Sequence, residues 1–311
     1  MLTALAGGVG AARFLAGLVR AVPPAEVVAI VNTADDEEFH GLHVSPDLDS
    51  VTYTLAGASN SEQGWGLAGE SFRVLDALAR YGVETWFRLG DLDLATHLFR
   101  TQRLRAGAPL STVTAEIARA WGVGTRLLPM TDDRVATRIS VRRDGGVHEC
   151  KMQEWFVRDR AEPEVVSVRF EGASTARPAP GVLDALEAAE AIVVCPSNPV
   201  ISIGPLLAVP GIRDALVARR DRVVAISPIV GGAPVKGPAD RLMAPLGIEV
   251  SCAGVARAYA DFCSALVIDE IDSGAAEAVE AAGVRAVVAD TMMRSPEVAA
   301  ALARRTLAAV A

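Results

Sequence analysis

Short apolar runs recur along the chain, each followed by a polar or glycine-bearing loop and then by a stretch with apolar positions three and four apart. That alternation predicts strands and helices in turn. Residues 2–6 form the first run, Gly7-Gly8-Val9-Gly10 follows, and residues 11–20 carry helical spacing. Residues 26–31 read as the second strand. Residues 51–56 open a helix, 71–80 form another, and 85–89 form a short strand ending at Gly90 and Asp91. Helical spacing returns over 94–100 and 111–120. Between about residues 126 and 170 the runs shorten and alternate, with 135–141 leading into Asp144-Gly145-Gly146, a hairpin signal that predicts an antiparallel addition to the sheet. Residues 191–195, 222–227, 266–269 and 285–290 then read as buried parallel strands. No linker, repeat or low-complexity tract interrupts the pattern. The expectation is a single α/β domain over 1–311, with a Rossmann-like, mainly parallel doubly wound sheet and a small antiparallel and helical insertion around 60–185.

The loops behind these strands carry the polar chemistry. Strand, glycine turn and helix at Gly7, Gly8 and Gly10 make a candidate phosphate cradle, where backbone N–H groups and a helix N-terminus meet an anion. Alone the signal is weak, because the third spaced glycine and the Lys-Ser/Thr of a nucleotide-triphosphate loop are both missing. Asn32, Thr33, Asp35 and Asp36 leave the second predicted strand, and Asp47 and Asp49 follow within the same acidic stretch. Carboxylates so crowded repel one another unless a cation neutralises them, so a divalent-metal site is expected in this stretch, in the crevice that the glycines face. Ser197 and Asn198, between Pro196 and Pro199, form a rigid turn able to meet phosphate or a base edge. Lys236 lies in a loop of glycines and prolines and can meet phosphate as a point charge.

Composition narrows the partners. Of 311 residues, 51% are hydrophobic, enough for a large core. The 38 acidic residues outnumber the 30 basic ones, giving a net charge of −8 with no basic block, which argues against nucleic acid. No apolar stretch is long enough to span a membrane, and a cytoplasmic enzyme without membrane partners is expected. Cys150, Cys195, Cys252 and Cys263 lie far apart and read as free thiols.

Gly7-Gly8-Val9-Gly10, Asn32-Thr33, the segment 45–49, Leu89-Gly90-Asp91 with Ala95-Thr96-His97, the segment 128–133, Pro196-Ser197-Asn198-Pro199 with the segment 202–205, and Ser227-Pro228-Ile229 with Ala233-Pro234-Val235 together resemble the 2-phospho-L-lactate transferase family. They do so in order over nearly the whole chain. Within the family, the sequence looks most like the actinobacterial phosphoenolpyruvate transferase branch. The resemblance implies a magnesium-dependent (Mg2+) phosphotransferase of coenzyme F(420) biosynthesis. The terminal ribityl hydroxyl of the deazaflavin Fo would attack a guanosine-diphosphate-linked phosphoenolpyruvate or 2-phospho-L-lactate and expel GMP. It also implies a homodimer, and Fo contacts at the positions of Asp49 and Arg88. Asp49 then has three open roles: orienting the hydroxyl, accepting its proton, or binding the metal together with Asp47. GDP binding would fall to Gly7, Gly8, Gly10, Ser197, Asn198 and Lys236.

Other residues have plainer readings. His40, His43 and His97 fit hydrogen-bonded structural histidines, and Arg88 has Asp91 as a structural partner. Asp132 and Asp133 either complete a metal shell or cap a helix or turn. Of Trp65, Trp86, Trp121 and Trp155, Trp65 between two glycines is the candidate to stack on a tricyclic ring. Two competing functions use the same glycine turn: a non-catalytic nucleotide-sugar-binding regulator of this fold, and a dinucleotide-dependent oxidoreductase, for which Asp35 would have to serve as the ribose acid.

Overall fold

In the computed structural model, which describes residues 1–60 and 64–310, the strands in the first half are β1 (Leu2–Ala6), β2 (Val27–Val31), β3 (Glu37–Phe39), β4 (Leu42–Val44), β5 (Arg126–Pro129), β6 (Ala136–Arg143) and β7 (Gly146–Lys151). Those in the second half are β8 (Glu164–Glu171), β9 (Ala191–Val194), β10 (Val223–Ile226), β11 (Ile229–Val230), β12 (Ala233–Pro234), β13 (Ala265–Asp269) and β14 (Arg285–Ala289). Seven of them form one parallel sheet in the order β14-β13-β10-β9-β1-β2-β5. Helices cover both faces, so β2, β9, β10 and β13 are buried at every position and read as continuous apolar runs. Alternate residues serve opposite cores: Val28 and Ile30 pack into one cluster, Val27, Ala29 and Val31 into the other.

The strand order changes direction at β1. The chain moves outward through β2 to β5 on one side, then returns to β9 on the other and runs outward again. This is the switch point where ligands of open α/β sheets bind, outside the carboxyl ends of the strands. Leu5 is in register with both Ile30 and Val194, so the loops after β1, β2 and β9 emerge at one level.

The first five helices are α1 (Gly8–Ala21), α2 (Pro46–Leu55), α3 (Arg73–Ala79), α4 (Asp93–Arg105) and α5 (Leu110–Ala120). Three expectations are corrected. First, α2 begins at Pro46, a residue suited to a first helical position, so Asp47 and Asp49 stand in its first turn and not in a loop. The acidic stretch before it also holds the β3–β4 hairpin. Second, residues 85–89 form no strand. Their apolar side chains are satisfied by the hairpin instead: the Phe87 ring stacks on Phe39 at 3.9 Å between centroids, and Trp86 meets it edge-on at 5.5 Å. Third, the antiparallel material adds nothing to the main sheet. β5 joins that sheet in parallel beside β2, while β6 is paired on both sides in a separate sheet ordered β7-β6-β8. Among the described residues, no single helix is long and apolar enough to cross a membrane.

Candidate functional site

A cavity of about 730 Å³ opens at the carboxyl ends of β1 and β9. All the residues singled out from the sequence for catalysis or binding line it: Asp47, Asp49, Arg88, Gly7, Gly8, Gly10, Ser197, Asn198 and Lys236. Their local partners differ sharply.

The glycine turn is tightly built. Gly7 caps α1, and Gly8, already in its first turn, has φ +73°, a left-handed conformation that glycine adopts at little cost. A Cβ on Gly10 would lie 2.4 Å from the Pro196 carbonyl oxygen, so this glycine lets α1 approach the loop after β9. Ser197 ties the same loops together by donating its hydroxyl to the Gly7 carbonyl at 2.8 Å. Asn198 caps the helical turn Pro199–Ile203, its Oδ1 accepting from the N–H groups of Val200 and Ile201. The Gly8 N–H donates to Asp47 Oδ1 at 2.8 Å.

Asp47 and Asp49 are both buried but face different partners. Residues two apart on a helix are about 200° apart around its axis. Asp47 Oδ2 accepts from the Asn32 amide at 2.9 Å, and the same amide reaches Asp35 Oδ2 at 3.2 Å. Asp35 Oδ1 is buried with no hydrogen-bond partner among the described residues. Asp36 stands nearby, accepting from the Ser45 hydroxyl at 2.6 Å and lying 3.1 Å from His43 Nε2. Burial and then the charge of Asp47 push the Asp35 carboxyl well above its ordinary range. Burial lifts Asp47 to about 6 against the Asn32 and Gly8 hydrogen bonds, with Asp36 and Asp49 adding to the rise.

Asp49 has a built-in cation. Arg100 of α4 donates Nη1 to Asp49 Oδ2 at 3.1 Å and Nη2 to Oδ1. His97 Nδ1 lies 3.7 Å from Asp49 Oδ2, and its Nε2 lies 3.1 Å from Asp93 Oδ2 without making a hydrogen bond. The Tyr53 hydroxyl donates to the other oxygen of Asp93. Burial still raises Asp49, but Arg100 and His97 pull against it. Burial also pushes Asp93 upward, yet His97 and the Tyr53 hydroxyl outweigh it and hold its carboxyl below the usual range. The ligand atoms of Asp49, Asp93 and His97 lie within 4.8 Å of one another, a grouping that could hold a metal ion. Asp49 therefore clusters with α4, while Asp47 clusters with the glycine turn. Sequence reading missed Asp93, Arg100 and Tyr53. One signal was available: Asp93, His97 and Arg100 recur at helical spacing along one face of α4.

Arg88 lies over the Phe72 ring, 4.0 Å from its centroid. Asp91 is not its partner, because that carboxylate accepts from the Ser71 hydroxyl and from the N–H groups of Arg73 and Val74 at the start of α3. Asp132 and Asp133 do not line the cavity. Asp132 accepts from the N–H and hydroxyl of Ser111 in α5, and Asp133 from the Arg177 N–H. His40 is an exposed residue of the β3–β4 turn. Trp65 lines the cavity, 39% exposed, with its ring 6.4 Å from that of Phe72. Trp86 also lines it, whereas Trp121 packs on Tyr53 and Trp155 is fully buried.

The chain matches the family described as 2-phospho-L-lactate transferase CofD over residues 2–306. It is 50% identical over 308 residues to the phosphoenolpyruvate transferase of Streptomyces griseus, covering 98% of this chain and 97% of the relative. The phosphoenolpyruvate transferase of Streptomyces coelicolor is 48% identical over the same shares, and that of Mycolicibacterium smegmatis 40% over 323 residues, again covering 98% and 97%. Among solved structures, a UPF0052 family member from Bacillus halodurans aligns with a TM-score of 0.64 over 98% of each chain. At 17% identity that likeness is one of fold alone.

Proposed function

The chain belongs to the 2-phospho-L-lactate transferase CofD family and is a phosphoenolpyruvate/2-phospho-lactate transferase, and from that premise we propose its donor, acceptor and metal. It transfers a phosphoenolpyruvyl or 2-phospho-L-lactyl group from a guanosine-diphosphate-linked donor to the terminal ribityl hydroxyl of Fo, releasing GMP, in coenzyme F(420) biosynthesis. The supporting observation is one cavity in which a buried, arginine-held carboxylate, Asp49, opens beside the glycine turn at the switch point of the sheet.

In this reading the hydroxyl oxygen attacks the phosphorus that carries the small acid. A new P–O bond forms, the P–O bond to GMP breaks, and the hydroxyl proton passes to a carboxylate oxygen of Asp49. Such a transfer depends on alignment and charge neutralisation more than on covalent catalysis. Arg100 fixes the orientation of Asp49, and Arg88 at the cavity wall contacts the polar edge of Fo. Gly7, Gly8 and Gly10 hold α1 and the Ser197–Asn198 loop close together, shaping the nucleotide side.

The donor chemistry of the site supports magnesium. Asp47, Asp49 and Asp93 present the hard oxygen donors that this ion prefers, and an unpartnered oxygen of Asp35 stands beside Asp47. Asp47 and Asp49 would hold the ion, with His97 left to orient Asp93. When bound, magnesium neutralises the donor diphosphate and polarises the transferring phosphoryl group. The enzyme would work as a homodimer. Leu98 and Phe99 on α4, 57% and 40% exposed, support an apolar contact surface, and light scattering in solution tests it.

Mass spectrometry of the product formed from Fo with each donor, with and without chelator, tests the whole reading. Formation of the phosphodiester and GMP only with divalent metal is expected. Absence of product with either donor overturns the assignment of donor and acceptor, and full turnover in chelator overturns that of the metal.

A further inference from the structure

Four cations line the main cavity: Arg13, Arg88, Lys236 and Arg294. Arg294 pairs with Asp290 at 2.9 Å, and Arg88 lies over Phe72. Among the described residues, Arg13 and Lys236 have no carboxylate within ion-pair distance and donate no hydrogen bond. Arg13 projects from the second turn of α1, just beyond the glycine turn. Lys236 follows β12, and its Nζ lies 2.4 Å from where a Cβ of Gly64 would stand, so it is pressed against the chain that carries Trp65.

The two charges act on each other. Burial lowers the Lys236 pKa, and the charge of Arg13 lowers it further. Bringing like charges together without a counter-ion costs free energy that a bound anion relieves. The chain has a net charge of −8, so the pair does not belong to a generally basic surface. Its position is also specific. A second cavity of about 470 Å³ adjoins the first, and Val9, Arg13, Trp65 and Gly66 line both, so Arg13 stands at the neck between them. The polar groups first expected to hold phosphate are engaged elsewhere: the Gly8 N–H with Asp47, the Ser197 hydroxyl with Gly7 and Asn198 Oδ1 with its own helical turn.

We infer that Arg13 and Lys236 form a two-point clamp for the adjacent phosphates of a nucleoside diphosphate lying across the neck between the two cavities. Assigning that diphosphate to the transferase donor rests on the reading above, while the clamp itself requires only a diphosphate. During transfer, the phosphate of the departing nucleotide gains negative charge, and the clamp is placed to receive it. Arg13 thus becomes a donor-binding residue alongside Lys236.

Calorimetry with inorganic pyrophosphate and with GDP, at low salt, tests the clamp in the wild-type protein and in Arg13→Gln and Lys236→Gln. Each variant is expected to bind both probes about tenfold or more weakly, the scale of one lost charge-assisted hydrogen bond. Fo affinity should be unchanged, and the thermal midpoint without ligand should hold or rise, because each substitution removes one of two uncompensated like charges. Wild-type affinity in both variants, or no pyrophosphate binding by the wild type, overturns the clamp whether or not the protein turns over. If binding follows the variants while no donor yields product with Fo, the clamp stands and the transferase assignment falls.

Discussion

Asp47 and Asp49 share one helical turn and a comparable depth of burial, yet they sit in opposite electrostatic surroundings. Asp49 meets a guanidinium that bonds both of its oxygens. Among the described residues Asp47 meets only neutral donors, the Gly8 N–H and the Asn32 amide, with the carboxylates of Asp35 and Asp36 close by. Burial penalises charge at both, but only one has a compensating cation within the protein. A carboxylate fixed by its own arginine suits orientation and proton acceptance. A carboxylate left among its own kind suits a cation that arrives with the ligand.

Removing the compensating charge is the harshest test of that contrast. Arg100→Met leaves Asp49 and Asp93 buried without a guanidinium, and breaking one partner of a buried pair typically costs about 3–5 kcal/mol. Denaturant unfolding at neutral pH should register this loss. The matching change in the other cluster, Asp35→Asn, removes a buried acid that has no cation among the described residues and should leave stability at pH 7 unchanged or raised. Equal losses in the two variants would break the comparison.

The pH dependence of Asp47 comes next. Its carboxyl is raised to about 6 in the folded protein. The unfolded chain releases that proton near about 3.9, so the native state binds more protons between the two values. Stability from this group is therefore complete below about pH 4 and is lost as the pH rises through about 6, by ~3 kcal/mol. Relative to Asp47→Asn, the wild type without metal should lose thermal stability from pH 4 to 7, and magnesium chloride should narrow the gap. A constant difference across this range would mean that Asp47 is not the uncompensated acid described here.

Asp49→Asn sharpens the contrast through activity. It keeps one acceptor for Arg100 but removes the charge and the basic oxygen, so turnover should fall about a hundredfold while the protein stays folded. Single-turnover kinetics with saturating Fo and donor would show it. Near-wild-type rates in this variant would exclude Asp49 as base and as metal ligand together.

The same two residues show where the sequence is legible and where it is not. β1, β2, β9, β10 and β13 can be read from their apolar runs because the sheet is covered on both faces, which leaves Thr3 and Asp269 as their only polar positions. The run at 85–89 misleads because an aromatic cluster satisfies apolar side chains as well as a strand does. The β3–β4 hairpin is hidden because its strands are three residues long and the first opens with Glu37 and Glu38. The crowding of acids marks the cavity correctly, but it cannot separate Asp47 from Asp49. That separation comes from Arg100 and Asp93, which are 51 and 40 residues away from the groups they meet, Asp49 and Tyr53. Only the fold of α4 against α2 brings them together.

Arg88 provides the mildest test, because it lines the cavity and takes part in neither acid cluster. Asp91 is engaged at the start of α3, so among the described residues the interaction that Arg88→Ala forfeits is the one over Phe72. An exposed cation–π contact of that kind is worth about 0.5–1 kcal/mol, and the thermal midpoint should drop only slightly. If the guanidinium meets the deazaflavin, Fo binding should weaken by about 1–3 kcal/mol, the range for a hydrogen bond to a charged group. GDP affinity, which we place at the Arg13–Lys236 neck, should hold steady. Calorimetry with each ligand separates the outcomes. A parallel loss for GDP would move Arg88 to the nucleotide side, and an unchanged Fo affinity would reduce its role to bracing Phe72 beside Trp65, whose ring lies 6.4 Å away.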